Sequence, residues 1–150
     1  MRDSIFRLVS HAALLTVVLL GICVAAGPPS AIYGSYKLSC PKSDPCKPAP
    51  DAMKLSRKPD GKIGVTMKLV YAAGHTCHME GDGEWHDNKI VLQADGLEEN
   101  KPCRLEIKFQ NGKATLDDVE GRCRPVYCGT RGTFEGVGFT KAVATSTKKK

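Results

Sequence analysis

A two-residue rhythm of apolar and polar side chains constrains this chain more than any other feature. Across 63–71 the odd positions are Ile63, Val65, Met67, Leu69 and Tyr71, with Gly64, Thr66 and Lys68 between them. Alternate side chains of an extended chain point to opposite faces, so this is a strand with one buried and one wet side. Cys103, Leu105, Ile107 and Phe109 repeat the rhythm, with Arg104, Glu106 and Lys108 outward. Weaker versions cover 32–38, 90–94, 114–116 and 134–139. Turn signals fall between the runs: Pro59-Asp60-Gly61, Ala73-Gly74-His75, Asp87-Asn88, Asp95-Gly96 and Asn111-Gly112. Asn-Gly tolerates positive φ at both positions, so strand 103–109 is expected to fold back onto 113–119 as a hairpin. Many short strands without an amphipathic helix predict an all-β antiparallel meander, and closing it into a barrel removes strand edges that invite aggregation. A small closed or nearly closed β-barrel is the expected fold.

Two segments break the rhythm. The stretch 40–59 carries Pro41, Pro45, Pro48, Pro50 and Pro59, which predicts a loop with one helical turn near 51–55. Residues 145–150, ending in three lysines, read as a disordered basic tail. There is no internal repeat.

The beginning of the chain reads as an export signal. Arg2 and Arg7 precede an apolar run up to Val24, which closes on Val24-Ala25-Ala26. That run is shorter than a membrane span requires after His11, and its small-residue end resembles a cleavage site. The expected organisation is a signal peptide over 1–26, one domain over 27–144, and the tail. A lipidated Cys23 is the less favoured alternative, because bulky Ile22 precedes it.

Removing Cys23 turns seven cysteines into an even set: Cys40, Cys46, Cys77, Cys103, Cys123 and Cys128. Export leads to an oxidising compartment, the periplasm or the cell exterior, where such a set persists as three disulfides and staples a small core. A structural zinc site needs regular C-x2-C-like spacing, which is missing here. Several connectivities remain open. Cys77 alternates in phase with Met79, and Cys103 with Leu105, so both are placed on the buried side. The expected pairs are therefore Cys77 with Cys103, Cys40 with Cys46 and Cys123 with Cys128.

Charge narrows the function classes. The formal net charge is +6, but Arg2 and Arg7 lie in the leader and Lys148, Lys149 and Lys150 in the tail, so the body is only weakly positive. No basic stripe is interleaved with aromatics as a nucleic-acid groove requires. Aromatics make up 6% of the chain, too few for a large aromatic-lined cofactor pocket, and no cofactor is called for. Glu80, Asp82, Glu84 and Asp87 gather around Trp85; the ordinary reading of such charge is a solvated face, and the sharper one is an acidic loop that steers a cationic protein partner. His75, His78 and His86 also cluster, but His75 and His78 fall on opposite faces of a strand, which disfavours a shared metal ion. No Gly-x-Ser-x-Gly, His-Glu-x-x-His or phosphate-cradling loop is present, so no catalytic residue is assigned and an enzyme is not expected.

From Gly81 onward the order of motifs becomes recognisable: Gly81-Asp82-Gly83-Glu84-Trp85, Cys103-Arg104-Leu105, Asn111-Gly112-Lys113-Ala114-Thr115-Leu116, Gly121-Arg122-Cys123, Tyr127-Cys128-Gly129-Thr130-Arg131-Gly132 and Phe134-Glu135-Gly136. The series resembles small exported bacterial proteins associated with periplasmic lysozyme inhibitors, over roughly the second half of the chain. Membrane-bound and periplasmic inhibitors of c-type lysozyme present a Ser-Gly-x-x-Tyr loop and a later Trp near a Lys-Gly. Here Ala73-Gly74-His75-Thr76-Cys77 stands at the loop and Trp85-His86-Asp87 follows, without the serine, the tyrosine or the Lys-Gly. The resemblance implies a barrel and a binding module acting on a lysozyme-like enzyme or another envelope protein by steric occlusion. The contact is expected at the turn region 81–88, with Glu80, Asp82 and Glu84 supplying charge complementarity and Trp85 or His86 an anchor if exposed, although a lone tryptophan is more often core packing. A metal-binding exported protein using the histidine cluster, and a structural envelope protein without a ligand, are the alternatives.

Overall fold

A computed structural model describes residues 27–39, 53–71, 74–129 and 131–142. The leader 1–26, the tail 145–150, Cys40 and Cys46 lie outside the described residues. Eight strands follow in chain order: β1 (Gly34–Leu38), β2 (Met53–Arg57), β3 (Ile63–Val70), β4 (Thr76–His86), β5 (Lys89–Glu98), β6 (Lys101–Gln110), β7 (Lys113–Asp118) and β8 (Gly138–Lys141). Each pairs antiparallel with its neighbours in sequence, and β8 returns to β1 with Tyr36 opposite Lys141 and Leu38 opposite Phe139, so the meander closes into a barrel.

The period-two residues fill its interior. Met53, Ile63, Met67, Ile90, Cys103, Leu105, Ile107 and Phe139 are all fully buried, and the polar residues alternating with them face outward. Two of the expected turns form tight two-residue hairpins. Asp87 and Asn88 have φ of 45° and 61°, and Asn111 and Gly112 have 51° and 73°. These values belong to the turn whose twist matches that of the flanking strands. The 103–109 and 113–119 runs pair as expected, from Leu105 opposite Asp118 to Gln110 opposite Lys113.

Several boundaries differ from the sequence reading. The region near 51–55 is not a helical turn: Met53–Arg57 is β2, because Met53 and Leu55 lie opposite Met67 and Val65 and bury with them. Residues 40–52, with Pro41, Pro45, Pro48 and Pro50 of the expected loop, lie outside the described residues, and Pro59 falls in the turn after β2. Asp95-Gly96 is not a turn but part of a bulge in β5. There the register passes from Ala94 opposite Cys103 to Glu98 opposite Lys101, and the chain reverses at residues 99–100. Gly81 through His86 belongs to β4, leaving only Asp87-Asn88 as a turn. Phe134 is buried in the connection that precedes β8 rather than on a strand.

That connection, described at residues 119–129 and 131–137, packs at one end of the barrel and contains a 3-10 turn (Val119–Gly121) and the one-turn helix α1 (Arg124–Tyr127). Its attachment corrects the disulfide expectation. Cys77 bonds to Cys128 and Cys103 to Cys123, with S–S distances of 2.06 and 2.00 Å. Cys77 and Cys103 do face the same interior, but β5 runs between their strands. Strands two places apart are separated by roughly 9–10 Å, beyond the ~7 Å Cα limit of a disulfide. Cys123 and Cys128 flank α1 instead, and each reaches a different strand.

Candidate functional site

β4 is the longest strand, and its outward residues are Thr76, His78, Glu80, Asp82, Glu84 and His86, all exposed. Glu80, Asp82 and Glu84 therefore form one row of carboxylates along the barrel wall, with neighbours about 7 Å apart. The row is shaped by what stands beside it. Gly64 of β3 lies opposite Asp82, and a Cβ there would meet Ser56 Oγ at 2.6 Å and Lys58 Cε at 2.7 Å. The bare backbone lets the Lys58 stem cross to Asp82, where Nζ sits 3.3 Å from the carboxylate. A shallow groove follows this crossing, lined by Ser56, Lys58, Thr66, Glu80 and Asp82. Farther along, His86 Nε2 lies 3.3 Å from Glu84 Oε2, both side chains more than half exposed.

Trp85 does not join this row. Its alternation with Glu84 and His86 turns it inward, where it is half-buried and tilts against Phe109 at 5.8 Å between ring centroids. Phe109 in turn meets Tyr36 edge-on at 6.3 Å. Tyr36 donates its hydroxyl to the Ile32 carbonyl at 2.6 Å, and burial pushes its phenol pKa up. Trp85 is thus part of the aromatic closure of the barrel end opposite the disulfides. Of the five residues expected at a contact, the structure brings Glu80, Asp82, Glu84 and His86 onto one face and leaves Trp85 behind them.

The next strands carry an ion-pair cluster instead. On the outer face of β5 and β6, Glu106 is only 5% exposed yet ionic. Lys89 Nζ bonds both of its oxygens at 2.8 and 2.9 Å, Arg104 donates at 2.7 Å, and Lys108 stands 3.8 Å away. The Lys89 bond, reinforced by Arg104, holds the Glu106 carboxyl below the usual carboxylate range. Lys108 also pairs with Asp117, which raises its ammonium pKa. The alternation placed Arg104, Glu106 and Lys108 outward but carried no sign that Lys89 would join them, because that contact depends on the register Lys89 opposite Lys108.

The histidines do not converge. His78 stands on the outer wall opposite Lys68, while half-buried His75 occupies the β3–β4 turn and its carbonyl accepts the Tyr71 N–H at 2.7 Å. Among the described residues no three His, Cys, Asp or Glu side chains are grouped to hold a metal ion. Among them, too, no helix is long and apolar enough to cross a membrane. Comparison of the chain with protein-family models, curated proteins and solved structures finds no match.

Proposed function

We propose that this protein is an exported, non-enzymatic binding module whose β4 wall docks against a basic protein, with a lysozyme-like muramidase as the best candidate, and blocks its cleft sterically. The two disulfides are compatible with export. The observation that carries the reading is the row Glu80, Asp82 and Glu84 on one wall of a closed barrel. Such a row steers a cationic partner toward this wall. A barrel fixed by ladders on every strand loses little conformational freedom on docking, which favours occlusion by shape. His86 and the Asp87-Asn88 turn supply the projecting tip, a role that Trp85 cannot take from inside.

The test is a turnover assay of c-type and other lysozymes on cell-wall substrate with the purified, oxidised protein, at low and moderate salt. Inhibition is expected, weakening as salt screens the carboxylate row, and lost in the Glu80→Gln/Asp82→Asn/Glu84→Gln variant. No slowing of any lysozyme at either salt concentration overturns the proposal.

A further inference from the structure

The β4–β5 ladder is short for its strands. It runs from His86 opposite Lys89 only to Gly83 opposite Leu92, although β4 continues back to Thr76 and β5 on to Glu98. The other side of each strand stays occupied: β4 pairs with β3 from Gly83 to Thr76, and β5 pairs with β6 from Lys89 to Ala94. The bulge then bends β5 away. Gly96 lies so close to β6 that a Cβ would stand 1.9 Å from the Lys101 carbonyl oxygen.

α1 packs against β4 and β5 at this parted stretch. Cys123 precedes it and Cys128 follows it, five residues apart and in helical backbone conformation, a span of about 7–8 Å. The turn therefore reaches from β4 to β6 over β5, which lies between them. One helical turn is thus bonded at one end to Cys103 on β6 and at the other to Cys77 on β4. Polar contacts help to seat it. The Asp118 carboxylate accepts the Cys123 and Arg124 N–H groups at 2.8 Å each, and the Tyr127 hydroxyl donates to the Asp95 carbonyl at 3.3 Å. Gly132 closes over the sulfurs: a Cβ there would lie 2.7 Å from Cys77 Sγ.

We propose that this cross-bar is a redox-sensitive latch on the β4–β5 seam. Oxidised, it closes the wall where the ladder has ended. A dithiol reductant delivers two electrons and two protons to each disulfide, becoming a disulfide itself, and frees four thiols on Cys77, Cys103, Cys123 and Cys128. The cross-bar then lifts, and the edges of β4 and β5 open while the remaining ladders persist. All four cysteines are at most 2% exposed, so the exchange proceeds through local opening of the connection rather than by direct attack on the closed form.

Amide hydrogen exchange of the full chain, read by mass spectrometry with and without dithiothreitol and with free thiols counted in parallel, tests this. With the thiols of Cys77, Cys103, Cys123 and Cys128 shown free by peptide, protection is expected to fall at least tenfold over 119–129, which forms the cross-bar, and to change less than threefold over 63–70, 76–82 and 113–118, whose ladders remain. The Cys77→Ser/Cys128→Ser variant is expected to show the same regional loss over 124–129 without reductant. Uniform loss of protection, unchanged protection with the thiols free, or bonds that resist reduction under native conditions each overturn the latch.

Discussion

At the scale of single residues, Glu106 shows how an outward position becomes structural. Strand alternation assigned it to the wet face, and it does lie there, but three cations close over it until it is buried. Its folded pKa is depressed, so the stability it contributes is present above the ordinary carboxylate pKa and is lost as pH falls through the lower folded value. Glu106→Gln is expected to cost about 1–2 kcal/mol near neutral pH and to flatten the acid limb of the stability curve; equal stability at neutral pH in urea titrations would contradict this. Gly132 marks the opposite case, a residue whose absence of side chain is used. Gly132→Ala drives a methyl against Cys77 Sγ and the Cys128 backbone, with an expected loss of about 2 kcal/mol from overpacking, measured by thermal unfolding of the oxidised protein. Lys58→Met removes the cation that covers Asp82, and is expected to speed association with a basic partner severalfold at low salt, as read by stopped-flow.

At the scale of elements, the hairpins and long strands were legible in the sequence, and the cross-connections were not. Asn111-Gly112 announced its turn because only residues tolerant of positive φ fit there. Asn111→Val is accordingly expected to destabilise by roughly 1–2 kcal/mol, checked by the urea midpoint at unchanged slope. β2 was hidden because Pro48, Pro50 and Pro59 surround only two inward residues, Met53 and Leu55, whose strand state depends on pairing with β3. The disulfides were misread for a related reason. Side-chain phase tells which face a cysteine occupies but not how many strands lie between two of them. The C-x4-C spacing of Cys123 and Cys128, which suggested a local staple, is the spacing that places both at the ends of one helical turn.

At the scale of the whole molecule, closure and charge act together. The carboxylate row on β4 was visible as a cluster in the sequence, and the strand placed three of its acids on one wall. The inward turn of Trp85 follows from the same alternation, which the reading of 81–88 as a turn had concealed. The ion-pair cluster on the next strands needed the β5–β6 register and could not be read from spacing alone. Over the short β4–β5 ladder stands the covalent cross-bar. Peptide mapping of the non-reduced, purified protein by mass spectrometry examines that cross-bar directly. Fragments linking Cys77 to Cys128 and Cys103 to Cys123 are expected; a Cys77–Cys103 or Cys123–Cys128 linkage, or these four cysteines as free thiols, would contradict the account.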